Sequence, residues 1–174
     1  GGHESVIRAG GVQWMTAGSG LVHAELSPDG FKRAGGPLEI LQLWVNLPAR
    51  LKMTAPRYQG LQADQIPSFA TADGKARINL ISGEWGRASG PVESITGNFM
   101  TTIAAESGAQ LEFHHLEQRS VFLYVVSGDV RIGDGEQSED EALHFLGLAR
   151  LFDGLSRLPQ RGDDPAGQGQ REEG

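Results

Sequence analysis

Short apolar runs separated by glycine and proline dominate the chain, which carries 25 Gly and 8 Pro in 174 residues. Breaks at such regular intervals predict an all-β sandwich or barrel rather than a helical domain. In "LEILQLWVNL" (38–47), Leu38, Ile40 and Leu41 sit among polar partners, and Leu43, Val45 and Leu47 then share a face. That alternation predicts a strand with one face in the core. "ARINLISGEW" (76–85) places Ile78, Leu80 and Ser82 on one face, and "FMTTIAA" (99–105) is a third candidate. "VFLYVVSGDVRIG" (121–133) reads as strand, turn, strand, with Ser127-Gly128-Asp129 as the turn.

The intervening "PARLKMTAPRYQGLQADQIPSF" (48–69) has three prolines and no clean period. It is expected to be an ordered connection without strands, with a short helical turn at "LQADQI". Beyond about Asp140, Leu143, Leu146, Arg150 or Leu151, and Leu155 fall near helical spacing. Residues 159–174 have almost no apolar side chains and are expected to be disordered.

Composition narrows the function. Hydrophobic content of 39% and charged content of 21% describe a soluble globular chain. The net charge of −7 offers no basic patch for phosphates, so direct nucleic-acid binding is not expected. A protein partner stays open. No apolar run approaches the roughly 20 residues of a membrane span. With no cysteine there is neither a disulfide framework nor a thiolate metal site, and a cytoplasmic location is expected. The start, Gly-Gly-His-Glu, lacks both an initiator methionine and signal-peptide architecture. The chain is therefore expected to be processed or a fragment.

Candidate chemistry begins in "GGVQWMTAGSGLVHAE" (10–25). On a strand, residues two apart point the same way, so His23 and Glu25 would face one side together. Imidazole plus carboxylate suits a divalent metal such as iron, manganese, zinc, nickel or copper. It needs at least one further ligand, and by spacing alone the pair reads sooner as two solvated side chains on a surface strand. The Thr16-to-Gly20 run has no phosphate-loop spacing; a tight turn that aims the following residues is its expected role.

At these residues the sequence resembles the pirin family of the cupin superfamily. The matching blocks are "GGVQWMTAGSGLVHAE" (10–25), "LQLWVNLPARLKMTAPRYQ" (41–59), "SGEWGRASGPV" (82–92) and "LYVVSGDVRIG" (123–133). The resemblance spans roughly residues 5 to 142 and implies a bicupin, two jelly-roll β-sandwich barrels in tandem. Residues 1–47 would be the C-terminal part of the first, metal-binding barrel. Residues 48–75 would connect it to a partial second barrel at 76–147, and 148–174 would be an atypical tail.

Members of this family typically hold one divalent metal, usually iron, on three histidines and a glutamate. The resemblance assigns His23 and Glu25 as metal ligands, Fe(II) as the expected metal and Glu25 as the candidate catalytic base. It implies dioxygenase chemistry on quercetin-like flavonols, or else a non-catalytic, metal-dependent transcriptional co-regulator acting through protein partners. The other two family ligands come from an upstream His-x-His strand, and this sequence has no His-x-His. A truncated or frame-shifted reading of a longer gene would explain both ends, and the chain alone is expected to be inactive. His3 falls at a family loop and is not taken as a ligand. His114-His115 is read as structural, because neighbours on a strand face opposite ways. Trp14 and Met15 are read as core, Glu84 and Trp85 as structural, and His144 is assigned no role.

Overall fold

The computed structural model describes residues 4–116, 118–134 and 143–148, the last six and Asp134 by backbone alone. The chain forms two compact units, Gly1–Ala104 and Ala105–Gly174. Among the described residues strands predominate and pair antiparallel, as an all-β cupin requires.

In the first unit β1 (Val12–Thr16) pairs with β2 (Arg57–Leu61), Trp14 lying opposite Gln59. The two longest sequence blocks thus meet across one antiparallel ladder. β2 lies in the stretch expected to be a strand-free connection, as does β3 (Ser68–Ala70). That expectation fails because both strands are short, with Gly60 inside one, and their ladder partners lie elsewhere in the chain. The helical turn expected at "LQADQI" is present as a 3-10 turn at Ala63–Gln65, where the Gln62 N–H donates to Gln65 Oε1 at 2.8 Å. The turn delivers Ile66 into the core.

β4 (Ala76–Ser82) is the centre of this unit and lies between β3 and β7 (Met100–Ala105). Ile78 and Leu80 are 1% and 0% exposed, as the alternation predicts. The 99–105 run is likewise a strand. Ile81, which alternation places on the opposite face, is buried too and clusters with Ile66 and Val92. Val12, Trp14, Leu61 and Met100 pack on that cluster, so Trp14 is half-buried against the core. Fully burying one such aliphatic side chain stabilises by about 1.5–3 kcal/mol.

Polar side chains lock the surrounding loops. Ser82 Oγ lies 3.1 Å from the Val92 carbonyl and 2.8 Å from that of Asn98. Gln59 donates from Nε2 to the Pro91 carbonyl and accepts from the Glu93 N–H, each at 3.3 Å. The small hairpin β5 (Glu84–Trp85) with β6 (Ala88–Ser89) sets Trp85 between Phe69 and Phe99, ring centroids 5.8 and 5.9 Å away. Trp85 is structural, as expected. At the β3–β4 turn, Asp73 Oδ1 accepts from Thr71 Oγ1 at 2.5 Å and from the Lys75 N–H at 3.0 Å. Chiefly the Thr71 bond holds the Asp73 carboxyl below the ordinary carboxylate range.

The 38–47 run departs from expectation. It forms no strand, and Leu38, Ile40, Leu41, Leu43, Trp44 and Val45 are exposed, Trp44 by 83%. A short helix, α1 (Asp29–Ala34), precedes it with no residue buried. Its alternation is real, but among the described residues no strand supplies the ladder that would give it an inner face.

In the second unit β8 (Ser107–Phe113), β9 (Asp129–Asp134) and β10 (Leu143–Leu148) form one sheet in the order β8-β10-β9. Ala109 and Leu111 are buried and alternate with exposed Gln110 and Glu112. Only the second half of the predicted 121–133 pair is a strand; 121–125 is exposed and unpaired. The helical spacing read from Leu143 is overruled, because β10 is a strand that pairs on both sides. Cross-strand pairing outweighs a weak helical period drawn from three or four leucines. Leu155 and the 159–174 tail lie outside the described residues.

Candidate metal-ligand pair

β1 ends at Thr16 and the chain turns through Ala17-Gly18-Ser19-Gly20, closed by the Gly20 N–H on the Ala17 carbonyl at 2.9 Å. The Ser19 N–H donates to the Thr54 carbonyl at 2.9 Å, which ties the turn to the segment before β2. Gly18 has φ 51°, and a Cβ there would overlap the Thr54 carbonyl. This position needs glycine for both reasons. The expected tight turn is therefore present, with its cause in backbone-on-backbone contact.

His23 and Glu25 follow in a segment without strand pairing, so the strand assumed for them is not seen. Their side chains nonetheless face each other, with His23 Nε2 3.9 Å from Glu25 Oε1. Both are open to solvent, at 42% and 46% exposure. An imidazole nitrogen beside a carboxylate oxygen is a donor pair of the right kind for a borderline divalent metal. It is short in number: among the described residues no group of three His, Cys, Asp or Glu gathers in metal-binding geometry. Three or four protein ligands are usual for a tight transition-metal site, so the residues present do not compose one.

Of the other histidines, His3 lies outside the described residues. His114 places Nε2 3.5 Å from Glu112 Oε2, and its ring lies 6.5 Å from that of His115. His114 and His115 lie past the end of β8, not on a strand. The overlooked signal is Glu112-Phe113-His114, the His-x-Glu spacing in reverse order.

The pirin family model matches residues 1–45, the stretch that holds β1, the glycine turn, His23 and Glu25. A pirin-like protein of Caulobacter vibrioides is 42% identical over 134 residues, 75% of this chain and 46% of that protein. Pirin of Homo sapiens is 37% identical over 144 residues, 82% of this chain and 47% of that protein. The crystal structure of quercetin 2,3-dioxygenase from Acinetobacter baumannii matches with a TM-score of 0.64 at 30% identity, covering 83% of this chain and 50% of that one. Antiparallel sheets, short helices and this structural likeness define an all-β cupin protein.

The resemblance carried by the sequence blocks is borne out: the chain is a relative of the pirin family. It spans about half the length of the curated relatives it matches. Among the described residues no helix is long and apolar enough to cross a membrane.

Proposed function

We propose that the chain is part of a pirin-like cupin protein whose complete form binds Fe(II) and opens quercetin-like flavonols with dioxygen. In this reading His23 and Glu25 are two of the metal's protein ligands, and the chain alone is catalytically inactive. The observation that carries it is the His23–Glu25 pair, facing across 3.9 Å inside the stretch the pirin family model matches. The likeness to the quercetin 2,3-dioxygenase of Acinetobacter baumannii supports flavonols as the substrate class in this reading. Bound iron would supply the dioxygen chemistry. Glu25 would take the flavonol's hydroxyl proton on its carboxylate, since a general base must sit within hydrogen-bond reach of that proton. His23 would serve as a neutral imidazole donor.

The same proposal divides the chain by descent: 1–47 from the first barrel, 48–75 the connection, 76–147 the partial second barrel and 148–174 the tail. It places the protein in the cytoplasm, in keeping with a cysteine-free sequence. The co-regulator reading has no separate observation in its favour.

The test measures iron content and quercetin consumption for the 174-residue chain and for a version extended upstream by a cupin His-x-His strand. The expected result is substoichiometric iron and no turnover for the chain, with iron and turnover for the extended form. H23A should strip iron from the extended form. E25Q should abolish turnover there. Turnover by the 174-residue chain, or full iron loading of the extended form after H23A, would overturn the proposal.

A further inference from the structure

We propose that Asp29-Gly30, on the exposed helix α1, is a site of spontaneous backbone modification, where the aspartyl residue converts to isoaspartate. The site is independent of the iron proposed for His23 and Glu25.

The first support is chemical. In an Asp-Gly pair the glycine amide nitrogen can attack the carboxyl carbon of the aspartyl side chain. An N–C bond forms, the amide gives up its proton, and the carboxyl loses an oxygen as water. The product is a five-membered succinimide. Water then adds at either ring carbonyl. Opening at the former backbone carbonyl runs the main chain through the aspartyl Cβ. The change is an isomerisation: the water lost is regained, and nothing is oxidised or reduced. Glycine favours the attack because it has no Cβ to shield the nitrogen and the widest backbone freedom. Among the described residues Asp-Gly occurs twice, at Asp29-Gly30 and Asp73-Gly74.

The second support is the contrast between these two pairs. Both are exposed, so access to water does not separate them. Hydrogen bonding does. Asp73 Oδ1 accepts from Thr71 Oγ1 at 2.5 Å and from the Lys75 N–H at 3.0 Å. The Gly74 N–H donates to the Thr71 carbonyl at 2.9 Å. The attacking nitrogen and the attacked carboxyl are thus each tied to other atoms of one turn. That turn must open before the ring can close. Its bonds also keep the Asp73 carboxyl ionised, which is the poorer electrophile.

α1 offers no such restraint. It is 6 residues long, buries no side chain and has no side-chain hydrogen bond at its N-cap, Pro28. Gly30 is its second residue, and the first amides of a helix have no acceptor within it. Asp29 Oδ1 meets Lys32 Nζ at 3.4 Å, an exposed ion pair of little worth. A helix this short with no packed face is marginal in water. Its fraying brings the Gly30 nitrogen and the Asp29 carboxyl within reach of each other. Isoaspartate then adds a methylene to the main chain, and the first turn of α1 loses its register on the segment that follows Glu25.

The test ages the full 174-residue chain at neutral pH and maps isoaspartate by electron-transfer fragmentation of its tryptic peptides. Peptides 9–32 and 58–75 carry the two pairs separately. Isoaspartate at Asp29 should accumulate at least about tenfold faster than at Asp73, where hydrogen bonds must break first. Asp29→Glu should end the conversion, since the ring would need a sixth member. Gly30→Ala should slow it without disturbing the fold, because a Cβ there meets nothing within 4 Å. In urea the two pairs should convert at similar rates. Conversion at Asp29 no faster than at Asp73 in the folded chain, or a difference that persists in urea, would overturn the proposal.

Discussion

Two apolar runs in the first unit look alike as sequence and end differently. Residues 76–82 alternate and bury Ile78 and Leu80 almost completely, while residues 38–45 also alternate and leave Trp44 83% exposed. The difference lies in neighbours. β4 has a paired strand on each side and loops clamped over it by Ser82 and Gln59. The 38–47 run has no ladder among the described residues. Alternation states which face a strand would bury; burial itself requires a partner that satisfies the backbone and covers that face.

The sharpest challenge to this contrast is Leu80→Ala. Removing a fully buried Leu side chain should cost about 2–5 kcal/mol, read as a lower urea midpoint of the first unit. An unchanged midpoint would mean that β4 is not its core. Gly18→Ala comes next. A positive φ and the overlap with the Thr54 carbonyl together should cost about 1–3 kcal/mol, with the altered signals at Ser19 and Thr54 in a nuclear magnetic resonance spectrum. A stable Gly18→Ala chain with unperturbed Thr54 would break the argument that the turn is held by backbone contact. The smallest effect belongs to Trp44→Ser. An exposed side chain away from packed features should change unfolding free energy by no more than about 0.5 kcal/mol. Self-association seen in sedimentation should fall, because an exposed apolar surface favours aggregation. A loss of stability comparable with Leu80→Ala would show that the two runs are packed alike after all.

The strand at 76–82 was legible because Ile78 and Leu80 alternate and are large, and that at 100–105 because Thr101, Thr102 and Ile103 are β-branched. Those at 57–61 and 68–70 were not, since each is short: the first owes its state to the distant β1 and the second to the next strand, β4. β10 departs from its local spacing for a related reason: leucines at 143 and 146 satisfy a helical period, while the strand is stabilised by pairing with β8 and β9. For the candidate pair, the residue types and two-residue separation of His23 and Glu25 were visible, but the strand meant to align them is absent. They face one another at 3.9 Å all the same. Glu112 and His114 share the same two-residue separation and meet at 3.5 Å, although His114 lies just past the end of β8.

Local chemistry was therefore readable along the chain: which residues could ligate a metal, where a glycine turn falls, and which family blocks are present. Residue type and short spacing are properties of the chain, independent of what packs against it. Which apolar run became core depended on folding. That outcome is set by strand pairing between segments of the chain, and hydrophobic alternation carries no information about the pairing.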